Sequence, residues 1–315
     1  MSDFPPIEIR GFYRAVHSSI WELADGAGIL ADLNMKLLSM DFCLTSAEAE
    51  SALVEGRVDF VSGTHISPYV KVARGEPIVC LASPNNQLQD SLVSNRPIKT
   101  VSDLKGMRIV ETSLVHPDTG YNHPRGNHML YVKKAGLDVN RDVSWLELAE
   151  HNTPEFRQEQ LQALLEGEGD AAFISGNTEE YEQKGLHVLL LDVLPMISGP
   201  TITTSYVALH AHEQLGERLV RALVRAIALV RTKPKEAREA LERGSRGTVE
   251  ITDRTMRSLS RLEKKPYPTA MGVSNAYELC TMQHPETAQV SALALWDLHY
   301  LRELDQSGFI DALYD

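Results

Sequence analysis

One segment, from Thr112 to His128, carries the densest set of side chains that could bind an anion and move a proton. It contains three histidines, a tyrosine and an arginine: His116, Tyr121, His123, Arg125 and His128. An arginine can bind a carboxylate through two hydrogen bonds, and a histidine or tyrosine beside it can shuttle a proton. We therefore expect Arg125 to bind the anionic group of a ligand, and His123 and Tyr121 to act as catalytic groups.

The same segment has two other interpretations. Three histidines can hold zinc, but these lack an acidic partner at a familiar spacing, so we expect no metal and no cofactor. The segment could also be an exposed loop without a role. If it reaches a ligand, we expect Ser113 and His116 to add contacts.

Two loops near the start of the chain are further candidates. The first begins at Tyr13 and ends at a serine pair, whose hydroxyl and backbone N–H groups suit an anion or simply cap a helix. The expected ligand contacts in it are Tyr13, Arg14, His17 and Ser18. The second runs from Gly63 to Ser67. Here we expect Thr64 to contact the ligand and His65 to transfer a proton, the alternative being a capped helix with an incidental histidine.

Two later segments offer hydroxyl and amide groups. Ser175 and Asn177 follow an apolar run, and Thr203 lies in the threonine-rich stretch Thr201–Thr204. We expect these three side chains to form hydrogen bonds with a ligand, with helix capping as an equal alternative.

Alternating strands and helices must position these groups. Strand candidates recur between helical segments at Ile7–Phe12, Met35–Phe42, Val58–Ser62 and Pro77–Ala82. This order predicts an α/β fold with a mostly parallel sheet flanked by helices. Ligands of such sheets sit beyond the carboxyl ends of the strands, where the candidate loops fall.

A phrase of the sequence occurs twice. Residues 52–60, ALVEGRVDF, are echoed by residues 163–173, ALLEGEGDAAF, and Ser-Gly follows soon after each copy. Each copy reads as a helix end, a glycine stop, an aspartate and a buried strand. The echo predicts two lobes built on one α/β plan, although helix–glycine–strand junctions also recur by chance.

The lobes are expected to be joined by polar segments. The stretch Ser83–Ser91 resembles a hinge, and a return crossing is expected near Gly199. We therefore assign residues 1–90 and 200–315 to lobe one and residues 91–199 to lobe two. A later helical segment carries arginines that we interpret as a solvated face: Arg218, Arg221, Arg225 and Arg231.

Composition limits the partners. The chain of 315 residues has a net charge of −12, which argues against nucleic acid but not against a small anion in a locally positive site. No apolar run is long enough to span a membrane, and the first residues lack the pattern of an export signal. We therefore expect a cytoplasmic protein without membrane insertion, although a chain whose export signal had been removed would look similar; a homodimer stays open.

An ordered set of phrases resembles the sulfonate-, nitrate- and thiamine-precursor-binding branch of the type II periplasmic-binding-protein family. The phrases are SALVEGRVDF, ARGEPIV, IKTVSDLKGMRIV, KKAGLD and ALLEGEGDAAF, and they span about residues 7–245 of the chain with its flanking elements. The resemblance implies a two-lobed periplasmic-binding-protein-like II fold with a ligand cleft between the lobes.

The family implied by this resemblance contains exported transport receptors and cytoplasmic enzymes. Its desulfinase needs a cysteine nucleophile in the loop after the first strand, and residues 13–19 contain none. Its pyrimidine synthase needs a suitably placed lysine and a cysteine-rich stretch, which are also missing. A decarboxylase remains open, with a faint resemblance around Pro266–Pro268 and Asn275.

Two functions therefore follow from the sequence. The preferred hypothesis is a decarboxylase- or lyase-type enzyme acting on a small, aromatic carboxylate, with His65, His123 and Tyr121 as catalytic groups. The alternative is a solute-binding protein or sensor, of the kind that serves ABC transporters, which holds the anion without chemistry. The fold alone cannot decide between them.

Overall fold

The computed structural model describes residues 4–14, 17–113, 115–116, 120–121, 123–148, 154–245 and 251–315. Within these ranges, no helix is long and apolar enough to cross a membrane. The chain divides into two compact units: unit 1 comprises residues 1–86 and 196–315, and unit 2 comprises residues 87–195. The crossings lie four residues before the expected ones at 90 and 199.

The strands and helices alternate through both units. The strands are β1 Ile7–Tyr13, β2 Met35–Phe42, β3 Phe60–Ser62, β4 Ile78–Ala82, β5 Asn85–Leu88, β6 Ser91–Ser94, β7 Arg108–Thr112, β8 Val115–His116, β9 Gly120–Tyr121, β10 Ser144–Leu148, β11 Ala171–Ile174, β12 His187–Leu190, β13 Leu194–Ser198 and β14 Ile202–Ser205. The α-helices are α1 Ser19–Gly26, α2 Ile29–Asp32, α3 Ser46–Val54, α4 Pro68–Ala73, α5 His123–Lys134, α6 Pro154–Glu166, α7 Glu179–Gln183, α8 Tyr206–Ala211, α9 Leu215–Thr232, α10 Pro234–Ser245, α11 Asp253–Ser260, α12 Ala270–Gln283, α13 His299–Gln306 and α14 Phe309–Ala312. Short 3₁₀ turns lie at Val101–Leu104 and Pro285–Gln289.

Unit 1 is built on a five-stranded sheet in the order β2-β1-β3-β14-β4. β1 runs parallel to β2 and β3, whereas β14 is antiparallel to both of its neighbours, so four strands point one way. The residues of β3, β4 and β14 are buried throughout, because helices cover both faces of the sheet. The expected mostly parallel sheet is confirmed here.

Unit 2 repeats this plan with the order β10-β7-β11-β6-β12. β7 runs parallel to β10 and β11, and β6 is the antiparallel strand between β11 and β12. β6 therefore takes the place that β14 takes in unit 1. This antiparallel strand is the first strand of its sheet along the chain in unit 2 (β6) and the last in unit 1 (β14).

The echoed phrases occupy equivalent places in the two sheets. One copy spans the end of α3 and the start of β3, and the other spans the end of α6 and the start of β11. Asp59 accepts a hydrogen bond from the backbone N–H of Arg10 at 2.7 Å, and Asp170 accepts one from the N–H of Arg108 at 2.8 Å. Each aspartate thus ties its strand to the strand beside it, so the echo is a structural repeat.

Arg218 corrects the interpretation of the arginine-rich helix as a solvated face. It is fully buried on α9, where its guanidinium donates to the carbonyl of Pro5 at 2.6 Å and lies over the ring of Phe4. A buried guanidinium is stable there because backbone carbonyls and an aromatic face replace water. The other arginines of the set are at least partly exposed and form ion pairs or hydrogen bonds: Arg221, Arg225 and Arg231.

Candidate functional site

The carboxyl ends of the parallel strands of unit 1 bring several candidate loops together. In the strand register Tyr13 lies beside both Phe42 and Ser62, and Ser62 lies beside Ile202 at the start of β14. The loops that follow β1 and β3 and the segment that precedes β14 therefore meet at one edge. We call this edge the unit 1 rim, defined by residues 13–14, 17–18, 42–45, 62–67 and 201–203.

Arg14 is the cation of the unit 1 rim. Its backbone N–H donates to the carbonyl of Ser62 at 2.9 Å, and its guanidinium donates to the carbonyl of Cys43 at 2.5 Å. The side chain is half-buried, and among the described residues it forms no ion pair. Burial lowers the pKa of Arg14, while the carboxylates of Glu50 and Glu48 act against that shift. A half-buried guanidinium without an ion-pair partner can stabilise a bound anion through charge-assisted hydrogen bonds.

His17 packs against the glycine at the end of β3. Gly63 has a φ of +104°, and a Cβ at this position would lie 2.4 Å from Cδ2 of His17. The hydroxyl of Ser62 donates to the carbonyl of His17 at 2.8 Å, which holds the two loops together. Burial, aided by the charge of Arg14, lowers the pKa of His17 to about 4. At neutral pH the imidazole is therefore neutral, and it can donate one hydrogen bond and accept another.

The threonines of the unit 1 rim have different roles. Thr203 is fully buried, and its hydroxyl donates to the carbonyl of Thr64, so it positions the loop rather than facing a ligand. The hydroxyl of Thr64 is buried and has no hydrogen-bond partner within the described part of the chain. His65 is half-buried, and its Nδ1 lies 3.4 Å from the hydroxyl of Thr201.

Two other predicted contact residues also belong to this edge. Ser18 is buried at the start of α1, where its carbonyl accepts from the N–H of Trp21 at 2.8 Å and its side chain makes no capping hydrogen bond. The ring of Tyr13 lies 5.6 Å from the ring of Phe42. The structure therefore brings Tyr13, Arg14 and the Gly63–His65 loop to one edge.

Arg125 lies in unit 2 under conditions that differ from those expected. It belongs to the first turn of α5 rather than to a loop, and it is buried. Its guanidinium donates to the carbonyl of Thr112 at 2.8 Å, pairs with the carboxylate of Glu147 and lies 4.8 Å from the centre of the Trp145 ring. The expected loop position is corrected to a helix, and β10 supplies a counter-charge and an aromatic face. The expected contact of Arg125 with a ligand stays a prediction.

A buried charged cluster of unit 2 was missed at the level of sequence. His128 on α5 contacts Glu111 through Nδ1, and its Nε2 lies 3.5 Å from the carboxylate of Asp90. All three are buried, and the imidazole stacks on the ring of Phe173 at 4.5 Å. Burial alone would lower the pKa of His128, but the two carboxylates outweigh it and raise the pKa to about 9. We name Asp90, Glu111 and His128 the unit 2 cluster.

The unit 2 cluster reaches the surface through Ser175. This serine is exposed, its hydroxyl donates to Asp90, and its carbonyl accepts from Arg157 at 2.6 Å. Because that hydroxyl proton is already used, Ser175 faces outward mainly as an acceptor, which suits an anion poorly. The side-chain oxygen of Asn177 accepts from the N–H of Glu179, the first residue of α7, at 3.0 Å, while the N-cap position itself is Thr178.

The remaining predicted residues follow β7. Ser113 is half-buried, and its carbonyl accepts from the hydroxyl of Thr112 at 3.2 Å. The backbone of His116 and Tyr121 forms the β8–β9 hairpin, and His123 begins α5. The side chains of these last three lie outside the described residues, so their expected contacts stay predictions. Among the side chains that are described, no cluster of His, Cys, Asp or Glu has the arrangement of a metal site.

Solved structures with the same fold are numerous. The periplasmic sulfonate-binding protein SsuA from Methylobacillus flagellatus KT is 15% identical with a TM-score of 0.68, and 96% of each chain is covered. The periplasmic aliphatic sulphonate binding protein SsuA from Escherichia coli is 19% identical with a TM-score of 0.63, and 92% of each chain is covered. A mutant of DSZB in complex with biphenyl-2-sulfinic acid is 13% identical with a TM-score of 0.56, covering 95% of this chain and 99% of that one.

At these identities the similarities establish the fold, which confirms the periplasmic-binding-protein-like architecture expected from the sequence. No curated protein matches the chain. The model of the NMT1/THI5-like family matches residues 44–237, which is more than half of the 315 residues. This chain belongs to the NMT1/THI5-like family.

Proposed function

We propose that this protein binds a small organic anion of the sulfonate or carboxylate class at the unit 1 rim and releases it unchanged, as a solute-binding protein or sensor. The observation that carries the proposal is Arg14. It is half-buried at the carboxyl ends of the parallel strands, and no carboxylate among the described residues pairs with it. An anionic oxygen would give this guanidinium the direct ion-pair partner that the described residues do not provide.

The neighbours of Arg14 suit the same ligand. His17 is neutral at pH 7, so it can donate a hydrogen bond to an oxygen without adding a second fixed charge. The buried hydroxyl of Thr64 has no partner in the described chain and is a second donor of the right kind. Uncharged donors around one guanidinium favour a singly charged anion over a dianion such as phosphate.

The comparisons support binding rather than catalysis. Two of the structural neighbours are named as sulfonate-binding proteins, and the solute-binding alternative therefore has better support than the decarboxylase or lyase that the sequence favoured. The expected catalytic residues His65, His123 and Tyr121 give the decarboxylase or lyase hypothesis little support, because only the side chain of His65 is described. The carboxylate stays in the proposal because its oxygens present the same chemistry to Arg14 as those of a sulfonate.

Calorimetric titration of the full chain with methanesulfonate, benzenesulfonate, acetate and benzoate tests this proposal. We expect at least one of them to bind, and we expect Arg14→Ala to weaken that binding roughly 10- to 100-fold, the range for a hydrogen bond to a charged group. Arg10→Ala is the matched control, because Arg10 is an exposed arginine of β1, the strand that leads into Arg14. It should leave the affinity within about 2-fold.

NMR spectra of the recovered ligand then separate binding from catalysis. An unaltered ligand after prolonged incubation supports the binding function, whereas loss of carbon dioxide or sulfite from it would restore the enzyme hypothesis. Unchanged affinity in Arg14→Ala, with an intact fold by circular dichroism, would show that the anion does not bind at the unit 1 rim.

A further inference from the structure

Two exposed apolar side chains lie at the end of β2, on either side of the residue that accepts a hydrogen bond from Arg14. Phe42 is 54% exposed and Leu44 is 53% exposed, whereas Cys43 between them is buried. β2 ends at Phe42, and Leu44 lies at a bend two residues further on. The thiol of Cys43 contacts the carbonyl of Thr45 at 3.3 Å, which holds Cys43 on the buried side of this segment.

The same segment is tied to Arg14 by its backbone. The carbonyl of Cys43 accepts from the guanidinium of Arg14, and its N–H donates to the carbonyl of Tyr13 at 3.0 Å. The guanidinium is therefore anchored at the residue that separates the two exposed apolar groups. The ring of Tyr13 packs on that of Phe42 with an angle of 57° between the planes, which extends the apolar surface along the strand ends.

Asp41 is an exposed carboxylate of β2 that directly precedes Phe42. Burial raises the pKa of Tyr13, and the charges of Glu22 and Asp41 raise it further, so both carboxylates act on the phenol. A ligand group with a second negative charge would be repelled at this place. The surroundings of Arg14 thus combine one cation, an apolar surface and nearby negative charge.

We infer that Tyr13, Phe42 and Leu44 form an apolar shelf that selects monoanions carrying a flat, uncharged apolar group, such as an arenesulfonate or arenecarboxylate. This inference rests on the proposed function and names the ligand class of the same site. The anionic head pairs with Arg14, and the ring covers the side chain of Phe42. Large apolar side chains that stay exposed beside a charge lose their contact with water when such a ring covers them.

Paired ligands of different size test the shelf. The affinities of benzenesulfonate and methanesulfonate are measured by calorimetry in the wild type and in Phe42→Ala. We expect Phe42→Ala to weaken benzenesulfonate roughly 3- to 10-fold and to leave methanesulfonate within about 2-fold. Phe42→Tyr keeps the ring and should keep the preference.

Two controls make the result specific. Leu293→Ala removes a side chain of unit 1 that is 69% exposed and lies outside the shelf, so it should change neither affinity. Benzene-1,3-disulfonate should bind more weakly than benzenesulfonate, and Asp41→Asn should narrow that gap about 2- to 5-fold by removing one nearby charge.

The outcomes separate the inference from the function that underlies it. If none of the four anions (methanesulfonate, benzenesulfonate, acetate and benzoate) binds the wild type, the proposed function fails and the shelf fails with it. If the anions bind but Phe42→Ala weakens both sulfonates equally or neither of them, the shelf is wrong while anion binding stands. Stronger binding of the disulfonate than of the monosulfonate would also overturn the shelf.

Discussion

The two units have the same strand order but treat charge in opposite ways at the carboxyl ends of their strands. In unit 1, Arg14 keeps a charge without an ion pair among the described residues, and His17 beside it is neutral. In unit 2, Arg125 is paired with Glu147, and His128 is enclosed by two carboxylates. The shared topology thus places arginine and histidine side chains at the strand ends of both units. Their neighbouring residues decide whether these side chains can bind a ligand or stabilise the fold.

The difference has an energetic basis. An ion that is removed from water without a partner costs several kcal/mol, so a fold tolerates it mainly where a ligand or partial exposure offsets that cost. Unit 1 leaves Arg14 half-buried and partly hydrated. Unit 2 buries its charges more completely and satisfies them internally, which favours rigidity over recognition.

The largest effect is expected when the unit 2 cluster loses a carboxylate. Glu111→Ala removes the closest counter-charge of His128 and the acceptor of the N–H of Thr112, which donates to Glu111 at 2.8 Å. Breaking a buried ion pair in this way should lower the free energy of unfolding by about 3–5 kcal/mol. Urea unfolding followed by circular dichroism measures the loss.

A matched substitution shows whether burial is the cause. Glu168→Ala removes an exposed glutamate of the same unit and should change the free energy of unfolding by less than about 0.5 kcal/mol. Equal effects of the two substitutions would mean that the unit 2 cluster does not brace the fold, and the contrast between the units would then disappear.

The stability of the protein should also depend on pH through His128. Its pKa is about 9 in the folded protein, above the ordinary value of 6.5, so the folded state holds the proton more tightly than the unfolded state. The resulting stabilisation is complete below pH 6.5 and is lost as the pH rises through 9. The shift corresponds to roughly 3 kcal/mol.

Urea midpoints at several values between about pH 6 and about pH 9.5 test this dependence. We expect the midpoint to fall over that interval in the wild type and to fall less steeply in Glu111→Gln, where one of the two carboxylates is neutral. A urea midpoint that does not change with pH in the wild type would show that Glu111 and Asp90 do not raise the pKa of His128. The imidazole resonance of His128 gives the same pKa independently by NMR.

The sequence predicted the elements better than the partners of their side chains. Local patterns identified alternating strands and helices, and the echo around Asp59 and Asp170 identified two sheets of one design, because such patterns reflect burial near each residue. The rim loops after β1 and β3 followed from the same topology. The boundaries of the units lie four residues before the predicted ones, inside β5 and β13, two strands that the sequence analysis did not identify.

Partners distant in the chain explain what the sequence could not predict. Arg125 was expected to face a ligand because it is the only arginine or lysine between Thr112 and His128, yet Glu147 reaches it from β10, 22 residues away. Arg218 was expected to be solvated as one of four arginines on a single helix, whereas it is buried and donates to the carbonyl of Pro5. Glu111 gave one usable signal, since a glutamate within the apolar run of β7 must find a buried partner.

The smallest effect we expect concerns the aspartates that the two units share. Asp59 and Asp170 each accept a hydrogen bond from the N–H of an arginine in the neighbouring strand, and each has a second partner, His212 at 3.0 Å and Arg96 respectively. Substitution by alanine leaves the strand N–H without its acceptor, so each variant should lose about 1–3 kcal/mol of unfolding free energy. Asparagine keeps an oxygen in place and should lose less. Because Asp59 is more buried than Asp170, its alanine variant should be the less stable of the two. Urea unfolding of the four variants measures this order, and a loss in one unit only would mean that the echo is a repeat of sequence without a shared structural role.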